Sequence, residues 1–138
     1  MKYLKLFESF KDESKDSLIN NEILKAFLEA ALWSTPLPED FQDMGDNYDS
    51  AYGIYDFSKE AILKALDHIN KFKILAVDLL DGMIESQVGH DLWLTTQGHG
   101  AGFWDRGLGK IGEELTEICK SMTPLQLDID ESGKPTFY

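Results

Sequence analysis

Apolar side chains recur every three or four residues in four stretches of the chain. The four stretches are residues 1–17, 21–33, 59–85 and 109–121. This period predicts amphipathic helices, because residues at that spacing lie on one side of an α-helix. Asn20 or Asn21 precedes the second stretch and Ser58 the third, and these side chains are suited to cap a helix. Thr35-Pro36 ends the second stretch, since proline cannot continue a helix.

The longest stretch, residues 59–85, predicts a central helix against which the other elements pack. Its apolar stripe comprises Ile62, Leu66, Ile69, Phe72, Ala76, Leu79 and Met83. His68 lies beside this stripe, where we expect an imidazole at the edge of the core. Gly82 is expected to bend the helix or to end it a turn early.

Two β-hairpins are predicted after this helix. In residues 125–130, leucine and isoleucine alternate with polar residues, which is the period of a half-buried strand, and residues 135–138 form the return strand. The other hairpin has strands at 91–96 and 101–105. It is predicted from the strand propensity of Leu, Trp, Thr and Phe and from the turn chemistry of residues 97–100.

Together these elements predict an α+β fold. N-terminal helices and one long central helix pack on a small antiparallel sheet, which consists of two β-hairpins separated by a helix. Residues 21–138 form a single α+β domain, and residues 1–20 form a helix and charged linker appended to it. A chain of 138 residues is long enough for one domain with its own core.

The formal net charge of −12 restricts the class of partner. Nucleic acids and anionic membranes would be repelled, so we expect no direct binding to either. Half of the net charge lies between Pro36 and Asp56, where six Asp and Glu residues occur with no Lys or Arg. This acidic balance favours a basic partner protein, including a nucleic-acid-binding protein that the chain would occupy as a decoy.

Two further features indicate the compartment. No apolar run approaches the roughly 20 residues that span a bilayer, and charged residues interrupt the apolar positions near the N-terminus. We therefore expect neither a signal peptide nor a membrane segment. Cys119 is the single cysteine, so no intrachain disulfide can form, and a reducing, cytoplasmic location in the host cell is expected.

The segment from Gly89 to Gly107, GHDLWLTTQGHGAGFWDRG, is the densest in functional groups. The candidates for a ligand or partner site are His90, Asp91, Trp93, Thr95, His99, Trp104, Asp105 and Arg106. In the predicted hairpin, Asp91, Trp93 and Thr95 share one face. As a structural unit, the segment would place its Trp and Phe side chains in the core and use its glycines for turns.

Two functional alternatives stay open for this segment. His90 and His99 with Asp105 or Asp91 are suitable ligands for zinc or ferrous iron, although neither HExxH nor CxxC occurs. His99 on a glycine-rich turn also suits proton transfer, with an aspartate to orient it, but no nucleophile is evident. GHGAG lacks the lysine of a phosphate-binding P-loop.

The same string resembles the hallmark segment of a family of small, uncharacterised proteins that are common in tailed phages and prophages. The family's string is similar to GHDFWLTRNGHGAGFWDRG, and this chain departs from it at Leu92, Thr96 and Gln97. The resemblance includes FLEAALWS at 27–34 and covers about residues 22–138. It implies a phage origin but no established activity. Thr96 stands where the family has Arg, which disfavours an anion site beside the turn.

From the charge and the resemblance we expect a phage-type accessory protein that acts as a protein-binding module, without enzymatic activity or a cofactor. Its partner would be a host or phage protein, and self-association is a further expectation. The alternative is a small-ligand binder or hydrolase-like enzyme that uses His90, Asp91, His99 and Asp105. A third hypothesis is a virion or assembly component attached through the N-terminal helix. Residues 1–10, MKYLKLFESF, resemble the N-termini of proteins from large marine phages.

Overall fold

The structure is a computed structural model that describes residues 13–99 and 101–138. Within that part, the helices are α1 (Lys15–Ile19), α2 (Glu22–Ser34), α3 (Lys59–Leu75), α4 (Glu85–Thr96) and α5 (Lys110–Ser121), and the strands are β1 (Leu127–Ile129) and β2 (Pro135–Phe137). The fold is α+β and mainly helical, with one small antiparallel sheet. None of the described helices is long and apolar enough to span a membrane.

Helix α2 lies at the centre of the core and confirms the helix predicted at 21–33. The side chain of Asn21 caps it by accepting the backbone N–H of Leu24 at 3.0 Å. Eight of its thirteen residues are buried, which is more than one amphipathic stripe requires. It contacts α1, α3 and, most extensively, α4. The chain leaves the helix at Thr35, which is extended and precedes Pro36.

Helices α2 and α4 pack closely because Gly89 lies at their contact. A Cβ atom at this position would collide with the carbonyl oxygen of Ile23 and would lie 3.0 Å from the backbone nitrogen of Phe27. Only a residue without a side chain allows the two backbones to approach this closely. The contact positions the middle of α4, which carries His90 and Asp91, against α2.

Helix α3 begins where the sequence predicts but ends at Leu75 instead of near residue 85. Ser58 caps it by accepting the backbone N–H of Ala61 at 3.2 Å. Residues 76–84 form turns, and Gly82 adopts a left-handed conformation with φ 77°. The predicted single long helix is therefore wrong at its C-terminal end. Ala76, Leu79, Leu80 and Met83 pack on the core from these turns, and their helix-like spacing concealed the break.

The C-terminal hairpin is confirmed. Strand β1 pairs with β2 in antiparallel register, with Leu127 opposite Phe137 and Ile129 opposite Pro135. Phe137 is buried and stacks on Phe57, with ring centroids 5.1 Å apart. The hairpin thereby anchors the C-terminus to the helical core.

The hairpin predicted at 91–96 and 101–105 is wrong. Residues 91–96 belong to α4, and the segment that includes 101–105 contains a short 3₁₀ helix at Phe103–Asp105. Strand propensity is a weak preference that tertiary packing overrides. Here the helical conformation buries almost every side of α4, including Val88, Leu92 and Trp93. The faces assigned to Asp91, Trp93 and Thr95 on the predicted strand do not exist.

Near the N-terminus, α1 occupies part of the stretch that the sequence assigns to a charged linker. Its Leu18 and Ile19 are buried in the core, and Ser14 caps it by accepting the backbone N–H of Ser17 at 3.1 Å. Most of the helix predicted within residues 1–17 lies outside the described residues.

The acidic segment at 36–56 contains three short 3₁₀ helices, Glu39–Met44, Tyr48–Ser50 and Ile54–Asp56. Tyr48 is buried and fixes the segment to α2. All six of its acidic residues are exposed. The segment is therefore packed through its aromatic residues and presents its charge to solvent.

Candidate functional site

Asp91 and Arg106 form an ion pair that joins α4 to the segment before α5. Asp91 is fully buried, and the Arg106 side chain is 32% exposed. The Nε atom of Arg106 lies 3.2 Å from both carboxylate oxygens, and its second guanidinium nitrogen lies 2.9 Å from Oδ1. The hydrogen bond to Asp91 raises the pKa of Arg106. Asp91 is thus held in a charge-assisted, two-nitrogen contact and is not a free base.

His90 lies between this ion pair and Trp33. Its Nδ1 atom is 3.6 Å from Oδ1 of Asp91, which is longer than a hydrogen bond. That nitrogen is buried and has no hydrogen-bond partner among the described residues. The imidazole ring lies 6.0 Å from the Trp33 ring, tilted by 33°. His90 therefore contributes to a surface formed with Trp33 more than to a catalytic pair with Asp91.

Thr95 and Asp105 stabilise the turn between α4 and α5. The hydroxyl of Thr95 accepts the backbone N–H of Phe103 at 3.1 Å, and Asp105 accepts the N–H of Gly102 at the same distance. A Cβ at Gly102 would collide with the Thr95 hydroxyl. Both side chains therefore bind backbone groups that would otherwise lack partners.

Trp93 is a core residue. Its ring packs edge-on against Phe27 at 5.5 Å and lies 6.0 Å from Phe137. Its Nε1–H donates to the hydroxyl of Ser34 at 2.8 Å, which satisfies the one polar atom of the indole. It is fully packed and does not contribute to a surface site.

His99 and Trp104 are exposed. The backbone N–H of His99 donates to the carbonyl of Leu94 at 3.0 Å and helps to close the end of α4. His90 and His99 are well separated, because six residue steps, or about 9 Å of helix axis at 1.5 Å per residue, lie between His90 and the end of α4 at Thr96. His99 follows the end of this helix. Among the described residues, no group of three His, Cys, Asp or Glu side chains is arranged to hold a metal ion.

The thiol of Cys119 is buried against the core. Burial raises the pKa of Cys119 to about 12, with the charge of Asp91 as a further cause. The thiolate is the nucleophilic form of cysteine, so Cys119 is inert at neutral pH.

One side of α2 and α4 carries the exposed groups of this region. We call it the Trp33–His90 face, and its exposed or half-buried residues are Glu29, Trp33, Ser86, Gln87, His90 and Arg106, with the buried Ala26 also lining it. It contains a shallow depression of about 380 Å³ bordered by Glu29, His90 and Arg106. A second depression of about 350 Å³ lies between Glu29, Trp33 and Asp49. Glu29 borders both, so the two depressions form one surface that adjoins the acidic segment.

Trp33 and Glu29 were not among the residues singled out from the sequence. A signal for them exists, because Glu22, Ala26, Glu29 and Trp33 follow one another at helical spacing on the side of α2 away from its main apolar stripe. A tryptophan on that polar side has no place in the core. Trp33 is accordingly 56% exposed.

Comparison of the chain with models of protein families, with curated proteins and with solved structures finds no match.

Proposed function

We propose that the chain is a non-enzymatic protein-binding module that binds a basic partner protein through the Trp33–His90 face. The observation that carries this proposal is the exposed Trp33 ring, which lies beside His90 and lines one of the two shallow depressions. Tryptophan, tyrosine and arginine dominate the binding energy of protein interfaces, and they do so from central positions surrounded by polar groups. Trp33 has such surroundings, because Glu29 and Asp49 line the same depression and the His90 ring lies 6.0 Å away.

The chemistry of the Gly89–Gly107 segment supports binding over catalysis. Asp91 is neutralised by Arg106, and Thr95 and Asp105 accept backbone N–H groups. Cys119 is buried and protonated at neutral pH. The carboxylates, the Thr95 hydroxyl and the thiol are therefore used to hold the fold, and exposed His99 has none of them free beside it as a catalytic partner. This region instead offers a wide, open face to a partner.

The charge around the face indicates the chemistry of the partner. Glu29 and Asp49 border the same depression as Trp33, and the adjoining segment 36–56 exposes six acidic residues with no Lys or Arg. A basic protein surface complements this field and is attracted to it over a distance of roughly 10 Å at moderate salt.

A narrower form of the proposal follows from the resemblance to phage proteins. As an accessory protein of a phage, the chain would occupy the nucleic-acid-binding surface of a basic host or phage protein. This decoy hypothesis predicts that duplex DNA and the chain compete for the partner. Simultaneous binding of both would contradict the decoy and leave the protein-binding proposal in place.

Site-specific photocrosslinking tests the proposal. A benzophenone amino acid replaces Ser86, which is exposed on the face, in the full chain expressed in bacterial cells, and in a control chain it replaces Val77, which is also exposed and lies outside the face. We expect a discrete protein adduct from position 86 and none from position 77. The captured protein is then purified, and we expect Trp33→Ala to weaken its binding at least about tenfold in calorimetry.

Charge dependence gives a second readout of the same complex. Glu29→Lys and rising salt should both weaken binding, because each reduces the attraction to a basic partner. Equal adducts from both positions, no adduct from either position, or binding that salt does not affect would overturn the proposal.

A further inference from the structure

A groove separate from the Trp33–His90 face lies between the C-terminal half of α3 and the segment after α5. Its volume is about 620 Å³. The apolar part of its wall comes from Ile74, Leu75, Met122, Leu125 and Tyr138. Small-molecule sites in proteins typically occupy about 300–1,000 Å³ and are lined mainly by apolar side chains, so the groove has the size and lining of such a site.

Several of these apolar side chains are exposed at the groove. Leu75 and Tyr138 each expose more than half of their surface, and Ile74 exposes 42%. Leaving contiguous apolar surface in water is unfavourable, and patches of this kind on soluble proteins mark binding sites. An apolar ligand would remove this surface from water.

A buried polar group also lines the groove. His68 is only 5% exposed, and its ring packs against Phe27 with centroids 5.7 Å apart. Its Nε2 atom is buried and has no hydrogen-bond partner among the described residues. Buried polar atoms almost always have a partner, and exceptions in native proteins require an explanation. A ligand with a hydroxyl or carbonyl group would supply the missing partner.

The charge at the groove favours an uncharged ligand. Asp67 and Lys71 both line it and form an ion pair at 3.4 Å, so these two charges balance each other. Burial keeps His68 neutral at pH 7, because it lowers the pKa of the imidazole to about 4. With a neutral imidazole and a balanced ion pair, the groove provides no net charge to attract an ionic ligand.

We propose that this groove binds a small, uncharged amphipathic molecule, with its apolar body against Leu75, Met122 and Leu125 and one hydroxyl or carbonyl group bonded to His68. The groove shares no residue with the Trp33–His90 face. The two proposals therefore stand on different residues and can fail separately.

Titration of the full chain with 1-octanol, followed by NMR, tests this proposal. We expect saturable shifts confined to residues of the groove, together with a shift of the His68 Nε2 resonance. Octane should bind more weakly, because it lacks the hydroxyl group. Leu75→Glu should weaken octanol binding at least about tenfold, since it places a carboxylate in the apolar contact.

Val77→Glu is the matched control, because Val77 is exposed nearby in sequence but does not line the groove. It adds the same charge and should leave the octanol affinity unchanged. Shifts that spread over the whole protein, absence of saturation, or equal losses in the two variants would overturn the site. Octane binding as tightly as octanol would overturn the role of His68.

Discussion

At the scale of single residues, the groups that look most reactive in the sequence are structural. Asp91 is fully buried against Arg106, and Thr95 and Asp105 each accept a backbone N–H of the turn that follows α4. His99 and Trp104 are exposed, and the partly exposed His90 lies against the exposed ring of Trp33. The pairing of each polar group, and not its intrinsic reactivity, decides which residues are available to a partner.

Loss of the guanidinium at position 106 should destabilise the fold. Arg106→Gln leaves the buried carboxylate of Asp91 without its counter-charge, and breaking such pairs costs about 3 kcal/mol or more. We expect the lower end of that range because Arg106 is partly exposed. Urea denaturation measures the change in the free energy of unfolding.

The double variant Asp91→Asn/Arg106→Gln is the control for this prediction. It removes the uncompensated charge and should recover part of the stability lost by Arg106→Gln alone. If the losses of the two single variants simply add in the double variant, the ion pair does not hold the segment as described.

His68 should make stability depend on pH. Burial, with the positive charge of Lys71 as a second cause, lowers the pKa of His68 from 6.5 to about 4. Between those values the unfolded chain binds a proton that the folded protein does not. The contribution of His68 is therefore complete above pH 6.5 and is lost as the pH falls towards 4, with a loss on the order of 3 kcal/mol.

Denaturation of the wild type, His68→Gln and His99→Gln at several pH values between 4 and 7 tests this dependence. His68→Gln removes the titrating group and should show a smaller loss of stability on acidification. His99→Gln alters an exposed histidine and should follow the wild type. A decline in His68→Gln as steep as in the wild type would show that other groups cause the pH dependence.

At the scale of elements, the region around 85–105 shows how packing selects a conformation. Leu92, Trp93 and Thr95 have strand propensity, yet they lie in α4 because Gly89 lets this helix lie directly on the backbone of α2. A helical spacing is also present, because two pairs of residues that are buried together lie four positions apart: Val88 and Leu92, and Asp91 and Thr95. The helical signal was present in the sequence but was weaker than the combination of strand-forming residues and a glycine-rich turn.

Gly89→Ala should destabilise the protein, although Gly to Ala within a helix normally stabilises by about 1 kcal/mol. The added methyl group would meet the backbone of Ile23 and Phe27, so α2 and α4 must separate. Overpacking of this kind costs about 1–3 kcal/mol. Thermal unfolding measures the effect.

Ser86→Ala, on the exposed side of the same helix, is the comparison and should change stability by less than about 0.5 kcal/mol. If the Gly89→Ala protein were as stable as the Ser86→Ala protein, the close contact between α2 and α4 would not restrict the size of the side chain at position 89.

At the scale of the whole molecule, one core supports two separate surfaces. The Trp33–His90 face adjoins the acidic segment 36–56, and the apolar groove beside His68 lies between α3 and the segment after α5. The net charge of −12 supports the proposal that the first surface binds a basic protein. The second surface depends on apolar contact and one buried imidazole, so it is suited to a different class of ligand.

Features that depend on neighbours along the chain are predictable from the amino-acid sequence alone. Helical spacing and capping residues located α2, the start of α3, and α5, and strict alternation located the C-terminal hairpin. Composition determined the acidic balance of the molecule and the position of its acidic segment. These features follow from local rules, because a helix cap, a proline or an alternating strand acts within a few residues.

Features that depend on residues far apart in the chain become visible in the folded protein and not before. Gly89 is required by the backbone of Ile23, Asp91 is neutralised fifteen residues away by Arg106, and Trp33 meets His90 only because α2 and α4 pack together. The same long-range packing made 91–96 a helix instead of a strand. A local pattern cannot show which groups will be paired in the core, and that pairing is what separates the residues that hold this fold from those that are free to bind.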